Sequence, residues 1–217
     1  MLPTPTITAL HVVPLDVGHH VGIERQMPVG AAVLTATLHG PRVHFTLDSC
    51  ILRPSDRTDT LLLWLDRHVM QDDVTIAGFR LDDAVALLDR LPAAEWSPVL
   101  RALAGCGQQH ALDMTARSAG VPVTFQQACA CSGILCASVD ADRRFADWMR
   151  SDVRGLAHDA EVDALATFRL VIRRLAVLNP IARGIVGAIA DHFAAWLEHA
   201  DHPAAQAHVA DLVSVAK

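Results

Sequence analysis

The order of apolar patterns along the chain constrains the fold more than any other feature. The first quarter carries three β-rich runs, Ile7–Leu15, Ala31–Leu38 and Arg42–Leu47, and the third alternates apolar and polar residues as a half-buried strand does. A His-Gly-Pro turn at residues 39–41 separates the second run from the third. We therefore expect a starting strand with a hairpin lying beside it.

The rest of the chain adds one more strand between helices and then becomes helical. Thr58–Met70 has helical periodicity, Val74–Phe79 is a short apolar strand, and Asp82–Leu91 is an acid-capped helix. The next stretch, Leu103–Met114, is ambiguous and allows a short strand near residues 111–114. Five helices are expected after it: Thr124–Gly133, Asp140–Ser151, Asp159–Leu178, Ile181–His199 and one from Pro203. This order predicts an α/β fold with a mixed sheet.

The composition is that of a folded chain, since 52% of the 217 residues are hydrophobic and 19% are charged. This length predicts a single domain over residues 1–217, with a core over about 7–178 and a helical extension over about 181–217. Apolar runs fall short of the roughly 20 residues of a membrane span. The N-terminus lacks the pattern of a signal peptide, so we expect a cytoplasmic chain without a membrane partner.

Charge and cysteine content narrow the function classes. The formal charge of −6 argues against a protein held on nucleic acid mainly by bulk positive charge, but not against an enzyme that contacts a few nucleotides at a strand end. The absence of tyrosine excludes a phenol as nucleophile or base. Three of the five cysteines, Cys129, Cys131 and Cys136, cluster without the paired spacing of a zinc ribbon. Buried free thiols are therefore expected rather than a zinc site.

Three acidic residues stand where strands end or helices begin, which is where open α/β sheets build their sites. Asp16 closes the first strand, Asp82 follows the fourth, and Asp163 lies near the start of the longest predicted helix. Carboxylates brought together repel one another unless a cation joins them, and Mg²⁺ or Mn²⁺ prefers such oxygen ligands. Taken singly, each aspartate fits a turn, a helix cap or a solvated surface equally well.

A histidine accompanies the last of these acids. His158 precedes Asp163 by five residues, and an imidazole can take a proton from water near neutral pH. Two metal ions and such a base can direct water onto a phosphodiester. The alternative is a surface histidine, one of 12 in the chain. His19 and His20 also resemble metal ligands but have no matching His/Cys motif downstream.

Three segments resemble the motifs of the DEDDh 3′→5′ exonuclease superfamily. HDAEVDALATFRLVIRRL resembles the third motif, H-x4-D followed by A-x-A-T, with His158 and Asp163 at its defining positions. HVVPLDVG resembles the first motif, a strand ending in D-x-E, in which Asp16 matches but Gly18 stands at the glutamate position. VTIAGFRLDDAVALL resembles the second, with Asp82 as the better match and Asp83 one residue away.

The resemblance extends over roughly Ala9 to Leu178. From His110 onward the chain is also similar to predicted exonucleases related to the proofreading domain of family-B DNA polymerases. The resemblance implies a ribonuclease-H-like fold and the removal of nucleotides from the 3′ end of single-stranded DNA or RNA. It also implies two Mg²⁺ or Mn²⁺ ions held by Asp16, Asp82 and Asp163, with His158 activating the water.

Gly18 sets the chain apart from this pattern. The loss of one anionic ligand weakens a site for a hard cation. Either another group, Glu24 or His19 or His20, replaces the missing glutamate, or the domain is a degenerate relative. A degenerate relative would bind a strand end or a partner protein without cutting.

The last two predicted helices lie beyond the resembling region and carry a wide apolar stripe. Its members are Ile181, Ile185, Ile189, Phe193, Trp196 and Leu197. Such a stripe packs on the domain's own sheet or forms a homodimer surface.

Overall fold

The computed structural model describes residues 5–18, 25–70, 73–105, 110–115, 117–118, 120–138, 140–178 and 183–215. Its main sheet has five strands in the order β3-β2-β1-β4-β5. The strands are β1 (Thr6–Asp16), β2 (Gln26–His39), β3 (Arg42–Ile51), β4 (Val74–Gly78) and β5 (His110–Asp113). The first three are antiparallel, whereas β4 and β5 run parallel to β1. The predicted α/β class, with a mixed central sheet flanked by helices and extra C-terminal helices, is confirmed.

The predicted helices are all present with shifted ends, and one helix that was not predicted, Pro98–Leu103, lies between the second of them and β5. The helices are α1 (Asp59–Val69), α2 (Leu81–Leu88), α3 (Pro98–Leu103), α4 (Phe125–Cys131), α5 (Ala141–Met149), α6 (Arg154–Leu178), α7 (Arg183–His199) and α8 (Pro203–Val215). A small ribbon of β6 (Arg117–Ser118) and β7 (Val121–Pro122) precedes α4. The helix α6 begins five residues before the predicted start at Asp159, so Asp163 lies well inside it.

The sheet is covered on both faces because its central strands are apolar on both sides. Leu10 of β1 packs with Leu65 of α1 on one face, within a cluster that includes α2 and α3. Its neighbour Ala9 packs on the opposite face with Leu165 and Phe168 of α6. Successive side chains of a strand point to opposite faces, so odd-numbered residues of β1 face α6.

The parallel strands end at different heights. Gly78, the last residue of β4, pairs with Leu10, whereas β1 continues to Asp16 and stays paired with β2. Within the described ranges, β1 therefore has no strand partner on its β4 side beyond Leu10. This step in the sheet leaves an open edge between the helices of the two faces.

The C-terminal helices pack on the chain itself. Phe193 and Leu197 of α7 and Ala204 of α8 join the apolar cluster around Phe168. Ile185 remains 65% exposed, and Ile181 lies outside the described residues. Most of the apolar stripe thus packs within the domain, and a homodimer through these helices stays a prediction. None of the helices described combines the length and apolar character needed to cross a membrane.

Candidate functional site

A crevice of about 530 Å³ opens where β4 ends beside β1. Leu10, His11 and Val12 form its floor, α2 forms one wall, and α4, α5 and α6 contribute the other. A Cβ at Gly78 would meet the side chain of Leu81 and approach the Leu10 carbonyl oxygen to 3.2 Å, so glycine allows this close approach. Open α/β sheets bind their ligands outside the carboxyl ends of parallel strands. The crevice is therefore the candidate site.

His11 and Asp163 meet inside the crevice. The His11 Nε2 atom lies 3.4 Å from Asp163 Oδ2, and the ring of His11 lies against that of Phe125 at 5.4 Å between centroids. Asp163 is 1% exposed, and its Oδ1 accepts a 2.8 Å hydrogen bond from the Ala137 N–H. The α6 helix thus holds a carboxyl group against an imidazole on the first strand.

Burial moves the two pKa values in opposite directions. It raises the pKa of Asp163 to about 7, although the Ala137 N–H and the charge of Arg144 act in the other direction. Burial, helped by the positive charge of Arg144, lowers the pKa of His11 to about 4. At neutral pH the imidazole is therefore uncharged and the carboxyl group titrates. The pair is a neutral contact and not an ion pair over much of this range.

Arg144 brings a buried cation to the same crevice. It lies on α5, whose first turn is capped by the Asp140 carboxylate through a 2.9 Å hydrogen bond from the Arg143 N–H. Arg144 is 9% exposed, and its Nη2 lies 3.6 Å from Asp159 Oδ2. Its Nε–H has no hydrogen-bond partner among the described residues. A buried donor without an acceptor is costly, and the guanidinium that carries it belongs to a residue lining the crevice.

The structure does not bring Asp16 to Asp163. Asp16 lies five residues beyond His11, roughly 16 Å along the strand at about 3.3 Å per residue. Leu15 packs with Ala160 and Ala164 of α6, so the next side chain, Asp16, points to the other face. Its Oδ1 accepts a 3.0 Å hydrogen bond from the Gly18 N–H. The structure leaves these two acids apart, because Asp163 faces β1 at His11 and the strand continues for five more residues to Asp16.

Asp82 also lies outside the crevice. It is exposed on the first turn of α2, whereas the next residue, Asp83, lines the crevice and forms a 2.7 Å ion pair with Arg80. Successive side chains of a helix point about 100° apart. For this reason Asp83 faces the crevice and Asp82 does not. Arg80 has a left-handed backbone with φ of 53° at the crevice rim.

His158 faces elsewhere on α6. Five residues separate it from Asp163, which places the two side chains about 140° apart around the helix. His158 is half-buried and does not line the crevice. The imidazole that faces Asp163 is His11. Asp159, one turn before Asp163, shares its side of the helix and reaches Arg144.

The described residues do not form the donor set of a two-metal site. No group of three His, Cys, Asp or Glu side chains among them is arranged to hold a metal ion. The carboxylates of Asp83 and Asp159 are each directed to an arginine, and the guanidinium of Arg144 repels a divalent cation. Glu24, His19 and His20 lie outside the described residues, so a substitute ligand, and with it Mg²⁺ or Mn²⁺, stays a prediction.

Four of the cysteines lie within the described ranges and all are free thiols: Cys50, Cys129, Cys131 and Cys136. Cys129 is buried, while Cys131 is exposed. Burial raises the pKa of the Cys129 thiol well above its usual range, and the nearby Cys136 and Asp163 add to the effect. This thiol is inert rather than catalytic. The expectation of free thiols holds for the described cysteines, but the expected burial is wrong for Cys131.

Sequence reasoning missed His11, and it included Arg144 only as one of seven arginines in the helical half of the chain that could contact phosphate. His11 carried a signal, since it is the polar member of the otherwise apolar series Ala9, Val13 and Leu15 that faces α6. No sequence pattern set Arg144 apart from the other arginines, because an arginine in an amphipathic helix is usually solvated. No family model, no curated protein and no solved structure matches the chain, so its function has to be inferred from this crevice.

Proposed function

We propose that the crevice binds the terminal nucleotide of a single-stranded nucleic acid, and that the chain is a binding module with a ribonuclease-H-like fold. The observation that carries the proposal is the guanidinium of Arg144, buried where β4 ends beside the middle of β1, with its Nε–H free among the described residues. Arginine is the side chain that matches phosphate oxygens best, since its donors form a planar fork.

The charges of the crevice support an anionic ligand. Its lining contains three arginines, Arg80, Arg90 and Arg144, and two aspartates, Asp83 and Asp163. Because burial raises the pKa of Asp163 to about 7, this carboxyl group can be neutral when an anion is bound beside it. The crevice is therefore locally positive in a chain whose formal charge is −6.

The size and position of the crevice support a nucleotide. Its volume of about 530 Å³ lies within the range of small-molecule sites. The resemblance of the third motif, which contains Asp163, points to the 3′ end of DNA or RNA. A cytoplasmic location, expected from the sequence, belongs to the same proposal.

A metal-dependent 3′→5′ exonuclease is the second candidate. It is supported by Asp163, which faces the first strand from the core helix that resembles the third motif. Against it stand the positions of Asp16, Asp82 and His158, which do not line the crevice. Binding without cleavage is the better proposal because it needs only groups that the crevice contains.

The test uses 5′-labelled single-stranded oligonucleotides of about six nucleotides, a common site size for such proteins, and measures fluorescence anisotropy. We expect Arg144→Met to weaken binding by about 10- to 100-fold, since a charge-assisted hydrogen bond contributes about 1.5–3 kcal/mol. Arg143→Met is the matched control, because Arg143 is the exposed neighbour of Arg144 and pairs with Asp147. Equal affinities of these two variants would contradict the proposal.

Two further measurements complete this test. Arg144→Met should keep the natural circular dichroism spectrum at the assay temperature, even though the loss of the guanidinium leaves Asp159 without a counter-charge and lowers the urea midpoint. This result separates lost binding from lost folding. Shortening of the labelled strand in Mn²⁺, abolished by Asp163→Ala, would favour the exonuclease instead.

A further inference from the structure

A second groove of about 400 Å³ adjoins the crevice. Phe79, which follows β4, lines both of them, and the consecutive residues Gln126 and Gln127 of α4 line one each. The groove runs between α4 and the C-terminal half of α6. A chain that enters the crevice can therefore continue past Phe79 into this groove.

The floor of the groove is apolar. It is lined by Phe79, Met114, Val123, Ala128, Leu170 and Val177. Phe79 is half-buried and packs edge-on against Phe125 at 5.6 Å between ring centroids. Val177 is 76% exposed at the open end. An aromatic ring fixed by a second ring is a suitable surface for a flat base.

The edge of the groove carries two cations that have no counter-charge within the part of the chain that the structure describes. Arg173 and Arg174 line it, and no aspartate or glutamate is among the residues that do. Arg174 is exposed and has no hydrogen bond or ion pair to any described residue. The Nη1 of Arg173 donates to the Ser132 carbonyl oxygen, which fixes its side chain beside the groove. The crevice, in contrast, contains aspartates that partly balance its arginines.

We infer that this groove holds the nucleotides that precede the terminal one, an inference that rests on the proposed function. Their bases lie on the apolar floor next to Phe79, and their phosphates contact Arg173 and Arg174. The combination of an apolar floor with unpaired cations on one edge matches single-stranded nucleic acid, which has a base and a phosphate in every unit. An apolar peptide would leave these cations without a partner.

The experiment compares two probes, a nucleoside monophosphate and a single-stranded six-mer, on the full chain. We expect the double variant R173M/R174M to weaken binding of the six-mer about tenfold and to leave binding of the monophosphate unchanged. Arg67→Met and Arg101→Met, combined in one variant, are the matched control, since both arginines are exposed on the α1–α3 side of the sheet. A six-mer with abasic sites before its last nucleotide should bind the natural chain about tenfold more weakly than the intact six-mer.

The outcomes separate the inference from the proposed function. If neither probe binds the natural chain, the proposed function fails and the inference fails with it. If both probes bind and R173M/R174M has the natural affinity for the six-mer, the inference alone is wrong and the groove serves an apolar partner. Equal binding of the abasic and intact six-mers would also overturn the role of the apolar floor.

Discussion

Burial in the crevice raises the pKa of Asp163 and lowers the pKa of His11. Between pH 3.8 and about 7 the folded chain keeps a proton on Asp163 that the unfolded chain releases, so this group lowers stability as pH rises. His11 acts in the opposite direction between pH 6.5 and about 4, because the unfolded chain then binds the extra proton. The two effects partly cancel in mild acid, and only that of Asp163 remains from pH 6.5 to 7.

Asp163→Asn should therefore stabilise the chain more at pH 8 than at pH 5. The amide keeps an acceptor for the Ala137 N–H and cannot ionise. The extra gain should be about 3 kcal/mol, because the penalty grows over the two pH units from 5 to about 7 at about 1.4 kcal/mol for each unit. Urea unfolding at the two pH values measures it, with Asp82→Asn on the exposed side of α2 as the matched control. A gain that does not change with pH would show that the carboxyl group is ionised throughout.

At the scale of elements, a buried polar network holds α8 on α6. His208 is fully buried, and its Nε2–H donates to the Val162 carbonyl oxygen at 3.0 Å. Its Nδ1 accepts from Arg169 Nη1 at 3.0 Å, which assigns the neutral tautomer. Arg169 also donates to Asp211 at 2.6 Å, and the same carboxylate accepts the Leu135 N–H at 3.2 Å. One aspartate of α8 thus anchors α6 and the segment after α4.

Asp211→Ala should destabilise the chain by about 3–5 kcal/mol, because it leaves the 9% exposed Arg169 without its counter-charge. The double variant R169M/D211L should recover much of this loss, since a buried ion pair replaced by apolar side chains of similar size is often neutral. Thermal and urea unfolding measure both variants. A small effect of Asp211→Ala would mean that α8 contributes little to the domain.

At the scale of the whole molecule, two features decide what the chain can bind. The sheet places its open edge where β4 stops and β1 continues, and helices from both faces wall the resulting crevice. The formal charge of −6 makes long-range attraction of nucleic acid unfavourable, so the proposed binding would be confined to the surface lined by arginines. A short contact with a strand end satisfies both conditions.

The salt dependence of binding should reflect this small contact. With phosphate contacts at Arg144, Arg173 and Arg174, the slope of log K against log salt should be about −2, at about −0.7 for each phosphate of a single strand. Arg144→Met should make the slope shallower by about 0.7. Anisotropy titrations over a series of KCl concentrations measure both values. A slope steeper than about −5 would indicate an extended electrostatic interface and contradict strand-end binding.

The sequence by itself determined the elements and the class of the fold. Apolar periodicity, turn residues and helix caps act between neighbours in the chain, so β1 to β4 and the long helices lie where these patterns predict them. The resemblance of its motif singled out Asp163 as a candidate site residue, while its position on the helix alone fitted a solvated surface as well.

Only the tertiary structure decided which side chains meet. In a strand, each residue reverses the face, and in a helix it turns the side chain by about 100°. For this reason His11 and not Asp16 faces Asp163, and Asp83 and not Asp82 lines the crevice. Arg144 reaches the same place from α5 through packing that no local pattern encodes. The site depends on distances between segments that are far apart in the chain, and local sequence patterns do not reveal those distances.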